Sequence, residues 1–182
     1  QYIYGETSRI SPEAPVPVVQ VKDTEERPGC AANVAVNVSA LGMDVKLLGM
    51  TGKDDAADRL RNVLNQQGVA CHFIYQQGMP TITKRRVLSQ HQQLLRLDYE
   101  RDTVTTDNRE LLNEYKKLID TSDIVILSDY AKGSLNQVAK LIDYARSKSV
   151  TVLVDPKSKD FSCYSNASMI TPNQKEFESV VG

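Results

Sequence analysis

The sequence predicts an α/β fold: a mostly parallel sheet flanked by helices, carrying a small antiparallel β lid. Three observations support it. After Ser122, short apolar runs alternate with amphipathic helical patterns, as expected of parallel strands covered on both faces. Two other segments, about 1–28 and 80–100, are punctuated by proline or alternate polar with apolar residues, the pattern of half-exposed antiparallel strands. Between them, Ala31 to Leu41 places small apolar residues at helical spacing, suited to close packing on a sheet.

Each element follows from local pattern. Pro12, Pro15 and Pro17, then Val16, Val18, Val19 and Val21, describe an extended arm at a sheet edge. Pro28-Gly29 turns the chain into the helix of Ala31, Val34, Ala35, Val38 and Leu41, which Gly42 ends. Val45 to Met50 is a strand. Asp54 or Asp55 caps a helix bearing Leu60, Val63 and Leu64 and stopped by Gly68, and Val69 to Tyr75 is the second strand of that unit. Thr81 to Leu88 and Gln93 to Tyr99, joined by Ser89-Gln90-His91-Gln92, form an antiparallel hairpin. Leu111, Leu112, Tyr115, Leu118 and Ile119 mark a helix, and Ile124 to Leu127 a strand. A helix from near Ser134 carries Leu135, Val138, Leu141, Ile142 and Ala145. Val150 to Val154 and the weaker Met169-Ile170 are strands, and a helix follows. The body is then about 29–79 and 101–182, and the lid about 1–28 and 80–100.

Composition narrows the function classes. With 22 Lys and Arg against 23 Asp and Glu, the net charge of −1 supplies no global basic footprint for nucleic acid or an anionic membrane. No apolar run approaches the ~18 residues of a membrane span. Cys30, Cys71 and Cys163 are widely spaced and odd in number, which argues against a disulfide framework or zinc knuckle and for a reducing cytoplasm. Neither a G-x-x-x-x-G-K-[ST] nor a G-x-G-x-x-G loop is present. His72 and His91 lack a partner for nucleophilic catalysis. The chain opens on Gln1 among β-formers and closes on what reads as the first turns of a helix, so a piece of a larger domain is expected.

Ligands of open α/β sheets bind beyond the carboxyl ends of the strands. Three strands here end in polar clusters: Ser128-Asp129-Tyr130-Ala131-Lys132-Gly133, Asp155-Pro156-Lys157, and Thr171-Pro172-Asn173-Gln174-Lys175-Glu176. Each alone also reads as a turn or helix cap, and Asn173 with Glu176 has capping-box spacing. Their recurrence at successive strand ends predicts one shared rim, with lysines for phosphates and carboxylates or amides for Mg²⁺. Gly29-Cys30-Ala31-Ala32-Asn33 opens a small-residue helix whose free N–H groups suit a polyol or anion; it equally reads as a packing turn.

Several of these stretches carry a resemblance. Gly5-Glu6-Thr7-Ser8-Arg9-Ile10-Ser11-Pro12-Glu13-Ala14-Pro15-Val16-Pro17, Glu26-Arg27-Pro28-Gly29-Cys30-Ala31-Ala32-Asn33, and the three strand-end clusters resemble bacterial heptose 7-phosphate kinases, which are ribokinase-like (PfkB) sugar kinases. The resemblance spans nearly the whole chain. It implies transfer of the γ-phosphoryl of ATP, with Mg²⁺, to the anomeric hydroxyl of D-glycero-β-D-manno-heptose 7-phosphate. The 1,7-bisphosphate product leads to ADP-heptose for the lipopolysaccharide inner core. The family's Asn-x-x-Glu element corresponds to Asn173, Gln174, Lys175 and Glu176 at the ATP and Mg²⁺ site, with Glu176 an indirect metal partner. Lys132, Asp155 and Lys157 are the phosphate candidates. Gly29, Asn33 and Asp129 are candidates for the sugar, and Arg9, Arg86 and Arg96 for its 7-phosphate. The lid implies a homodimer.

Three departures accompany the resemblance. Gly29-Cys30 stands where the family has two glycines. The amino-terminal strand with its Gly-Asp element is missing. So is the Gly-Ala-Gly-Asp element with the catalytic Asp, so the 182 residues by themselves are expected to be inactive. Two other readings stay open: another ribokinase-like sugar kinase, and a non-catalytic nucleotide-binding or dimerising module.

Overall fold

The computed structural model describes residues 1–101, 108–131 and 133–181. In chain order its elements are β1 (Tyr2–Ile10), β2 (Pro17–Glu25), α1 (Ala31–Ala40), β3 (Val45–Thr51), α2 (Asp55–Gln66), β4 (Val69–Tyr75), β5 (Thr83–Ser89) and β6 (Gln92–Tyr99). Then come α3 (Arg109–Ile119), β7 (Ile124–Ser128), α4 (Val138–Ser147), β8 (Thr151–Asp155), a 3-10 turn (Phe161–Tyr164), β9 (Met169–Ile170) and α5 (Gln174–Val181).

The lid is a four-stranded sheet of order β2-β1-β5-β6. Its two hairpins are antiparallel, as expected, but β1 runs parallel to β5, from Tyr2 opposite Arg86 to Gly5 opposite Ser89, so the sheet is mixed. Local alternation reports which face of a strand is buried and is blind to the direction of its neighbour. Gly5 is required on the β2 side of this strand: a Cβ there would lie 2.6 Å from the Gln20 carbonyl oxygen, beside a register shift in the β1–β2 ladder. Pro17 opens β2 on the sheet edge, where its missing N–H does not interrupt an inner ladder. Gln90 and His91, at φ 48° and 67°, turn the second hairpin with the backbone that two-residue hairpin loops need.

The body holds two parallel ladders, β3-β4 and β7-β8-β9. Ala32 and Ala35 of α1 pack with Leu64, Val69 and Phe73, and small side chains let the helix approach closely. A second core joins Tyr115 and Ile119 to Leu127, Leu141, Ile142, Val152, Val154 and Tyr164. Helix α3 links the two, contacting β3, β4 and α4, with Lys46 Nζ donating to Thr121 Oγ1 at 2.8 Å. His72 contributes here as a partner of Glu114 at 3.0 Å.

Two further expectations are corrected. Helix α4 starts at Val138 rather than near Ser134, because tight i to i+3 bonds such as Val138 N–H to the Leu135 carbonyl (3.0 Å) precede it. On β7, Ile124 and Ile126 are 50% and 40% exposed, so this strand is not covered on both faces.

Asp54 and Thr81 form a buried tie between the lid and the body. Asp54 caps α2 by accepting from Ala57 N–H (3.0 Å), and also accepts from Thr81 N–H (2.8 Å) and Thr81 Oγ1 (2.7 Å). Thr81 Oγ1 in turn accepts from Gly52 N–H at 3.0 Å. A Cβ on Gly52 would collide with the Met79 carbonyl and Thr81 N. Burial alone would raise the Asp54 carboxyl, but hydrogen bonds from Thr81 and Ala57 outweigh it and hold the group below its ordinary value. Thr81→Val keeps the shape and removes the hydroxyl, and is expected to cost about 1–3 kcal/mol near neutral pH. A depressed folded-state pKa stabilises above the unfolded value of about 4, and that contribution disappears as pH falls through the folded value. Urea unfolding of wild type and Thr81→Val is therefore expected to show a gap that narrows below about pH 4.

Candidate functional site

The parallel register sets the site. Ser128 lies opposite Asp155 and Val154 opposite Ile170, so β7, β8 and β9 end on one rim. Two backbone bonds extend the ladders past the strand ends, Asp129 N–H to the Asp155 carbonyl and Thr171 N–H to the Val154 carbonyl, both 2.9 Å. At the third loop, Asn173 N–H donates to Glu176 Oε2 and Glu176 N–H donates to Asn173 Oδ1, each at 3.0 Å. This is the reciprocal capping box that the spacing allows. The same carboxylate also faces the rim: Lys157 Nζ is 3.6 Å from Glu176 Oε1, and the Glu176 side chain is only 18% exposed. The cap and the rim charge therefore coexist in one residue. Gln174 is turned to Glu178 (2.7 Å), and Lys175 is exposed.

Asp129 is engaged within the protein. Its Oδ1 accepts from Ala131 N–H (2.8 Å) and its Oδ2 from the Tyr164 hydroxyl (2.6 Å). Tyr130 lies within electrostatic reach of both sides of the rim. Burial first, then the carboxylate of Asp155, the Cys30 thiol and the Glu176 carboxylate push its phenol up.

At that turn Ala32 N–H reaches the Gly29 carbonyl (3.1 Å) and Asn33 N–H the Cys30 carbonyl (3.0 Å), with the Asn33 side chain exposed. Gly29 has open space around a would-be Cβ. The glycine-like backbone falls instead on Cys30, at φ 51° and ψ −132°.

The lid arginines do not form one cluster. Arg86 and Arg96 are direct cross-strand partners. Arg86 sits 5.4 Å over the Tyr2 ring, and Arg96 Nε is 2.9 Å from Asp98. Tyr2 pairs with Arg86, whereas Arg9 is seven residues further along β1, about 20 Å away. Lys132 lies outside the described residues. A cleft of about 540 Å³ opens at the lid root, lined by Lys53, Asp54, Tyr75, Gln76, Gly78 and Arg101 among others. Among the described residues no three His, Cys, Asp or Glu side chains gather as a metal cage. Sequence reasoning placed Tyr130 in a rim cluster without giving it a role, and missed Tyr164. The segment around Tyr164 has no periodicity, so no sequence signal marks the partner of its hydroxyl.

The profile of the pfkB family carbohydrate kinases matches residues 2–182. The chain belongs to the pfkB family. The bifunctional protein HldE of Alkalilimnicola ehrlichii is 55% identical over 182 residues, that of Histophilus somni 51% and that of Coxiella burnetii 53%. Each match covers 100% of this chain and 38% of the relative. Among solved structures, a carbohydrate kinase from Agrobacterium tumefaciens superposes with a TM-score of 0.77 at 17% identity, over 100% of this chain and 60% of that one. The tetrameric inhibited form of phosphofructokinase-2 from Escherichia coli superposes with a TM-score of 0.68 at 18% identity, over 99% and 60%. The ribokinase-like α/β fold of pfkB sugar kinases is thus shared well beyond detectable sequence likeness. No helix among the described residues is long and apolar enough to cross a membrane.

At the turn that opens α1, Cys30 holds a backbone, φ 51° and ψ −132°, that glycine adopts more readily. Relief of its conformation by Cys30→Gly, partly offset by glycine's greater freedom when unfolded, is expected to stabilise the protein by about 1 kcal/mol. Denaturant unfolding of the pair checks this; an unchanged or lower midpoint contradicts it.

Proposed function

We propose that the full-length protein transfers the γ-phosphoryl of ATP to the anomeric hydroxyl of D-glycero-β-D-manno-heptose 7-phosphate. The product is the 1,7-bisphosphate used for ADP-heptose and the lipopolysaccharide inner core, and the setting is the cytoplasm. The observation that carries the reading is the rim itself. The Asn173–Glu176 box, Lys157 and Asp155 lie at the ends of adjacent parallel strands, with Lys157 Nζ 3.6 Å from Glu176 Oε1. Support for the heptose comes from the opening arm, Ser8-Arg9-Ile10-Ser11-Pro12-Glu13, within a chain 51–55% identical to three HldE proteins.

The residues divide the work as phosphoryl transfer requires, which is positioning and charge neutralisation. Lys157 supplies positive charge for phosphate oxygens. Glu176 and Asp155 are hard oxygen donors of the kind that would hold Mg²⁺, an ion that keeps its own waters and phosphate oxygens. When bound, that ion neutralises phosphate charge. Asn33 offers an amide to sugar hydroxyls, and the Arg86–Arg96 pair offers guanidinium groups to the 7-phosphate. The proton acceptor for the anomeric hydroxyl is the family's Asp, which these 182 residues do not include. The lid exposes Leu95, Leu97 and Tyr99 along β6, at 52%, 39% and 44%, an apolar strip suited to a second copy.

Phosphorus NMR of the full-length protein with ATP and a panel of sugar phosphates tests the reaction. Anomeric phosphorylation of heptose 7-phosphate is expected to dominate, and faster turnover of another sugar would redirect the assignment. In that assay Glu176→Gln, which preserves the cap acceptor and removes the charge, is expected to lose on the order of 10²-fold in turnover while melting close to wild type. Near-normal turnover would leave Glu176 a helix cap alone. Sedimentation of the full-length protein is expected to show a dimer that Leu95→Glu with Leu97→Glu converts to monomer; a monomeric wild type sinks the lid contact.

A further inference from the structure

Tyr164 is one of two tyrosines in the second core whose hydroxyl is hydrogen-bonded inside the protein. The other, Tyr115, donates to the Leu141 carbonyl at 2.9 Å, a bond within the core. Tyr164 differs in what its hydroxyl touches. The residue is 2% exposed and sits at the end of the 3-10 turn that Asp160 caps through Ser162 N–H (2.9 Å). Its ring is braced 6.2 Å from Phe161, so packing sets where the oxygen lies. That oxygen donates to Asp129 Oδ2 at 2.6 Å and accepts from Ser158 N–H at 3.2 Å and Lys157 N–H at 3.4 Å. A phenol has one proton and two lone pairs, so its capacity is fully used.

These bonds join two separate loops. Asp129 belongs to the loop after β7, where its other oxygen holds Ala131 N–H (2.8 Å) and with it the left-handed turn at Ala131, φ 53°. Lys157 and Ser158 belong to the loop after β8, and Lys157 reaches across to Glu176. One hydroxyl thus ties 129–131 to 157–158 and, through Lys157, to the capping box of the third loop. Burial, then the hydrogen bond to Asp129, pushes the phenol well up, so it remains a donor under all ordinary conditions.

We propose that Tyr164 is a positioning residue for the nucleotide phosphates: it touches no substrate, and through Asp129 and the Lys157 and Ser158 amides it holds the two loops that frame the phosphate side of the rim. Asp129 then acts as the acceptor that fixes this hydroxyl rather than as a sugar ligand. The inference rests on the phosphoryl-transfer reading of the rim and adds to it which residue sets nucleotide affinity.

The test compares Tyr164→Phe with Tyr115→Phe in the full-length protein. Both remove one buried hydroxyl and keep the ring in the same core. Binding of the imido analogue of ATP with magnesium is measured by calorimetry, alongside KM for ATP and for the sugar phosphate. Tyr164→Phe is expected to weaken analogue binding and raise the ATP KM about tenfold or more, with the sugar KM within about twofold of wild type; misplacing a positioning group by about 1 Å is enough for such losses. Tyr115→Phe is expected to leave all three within about twofold. Asp129→Asn is expected to mimic Tyr164→Phe, and the double variant to cost no more than the larger single one, since both cut one connection. A folded Tyr164→Phe with wild-type analogue binding, equal losses for both substrates, or the same pattern in Tyr115→Phe would overturn the proposal. If wild type binds the analogue but ignores heptose 7-phosphate, the substrate reading fails and the binding comparison still decides Tyr164. A wild type that binds no nucleotide removes both.

Discussion

Parallel register of β7, β8 and β9 is the constraint on which the rim depends. Adjacent parallel strands in one sheet end on one edge, so the residues that follow Ser128, Asp155 and Ile170 share an edge without any contact having to draw them there. The buried residues Leu127, Val152 and Val154 fix that register, because a slip by one residue would turn each strand's core side chains outward. The apolar core thus does the placing, and the polar loops inherit the placement.

Once placed, the polar groups compensate one another. Glu176 satisfies an orphan amide at the start of α5 and faces Lys157 with its other oxygen. Asp129 splits its oxygens between a backbone amide and the Tyr164 hydroxyl. A carboxylate whose oxygens already have partners has its geometry set in advance. Phosphoryl transfer draws most of its rate from groups already in position.

The lid shows the same economy at its root. Its edge strands are the exposed ones, β6 along its whole length and β2 over most of it, so little core holds them. Asp54 and Thr81 supply a buried polar clamp between the cap of α2 and the entry to β5, and Gly52 keeps that space clear. A junction with few apolar contacts gains direction from such hydrogen bonds, because hydrophobic packing alone does not specify an orientation.

Much of this was legible in the amino-acid sequence, and the reason is locality. Local pattern placed the helices and strands of the body within a few residues and read 1–28 as one hairpin arm, since burial on one face repeats with the element's own geometry. Strand-end position and Asn173–Glu176 spacing named the rim for the same reason. The parallel seam between β1 and β5, the split of the body ladders and the separation of Arg9 from Arg86 were not legible, because each depends on which distant strand becomes a neighbour. Tyr164 is the clearest case. Its hydroxyl meets a carboxylate 35 residues away, and only the packing of its ring against the core determines that the two converge. Sequence sets what each segment prefers; tertiary structure decides which segments meet, because that choice is settled by the burial of the whole core rather than by any local pattern.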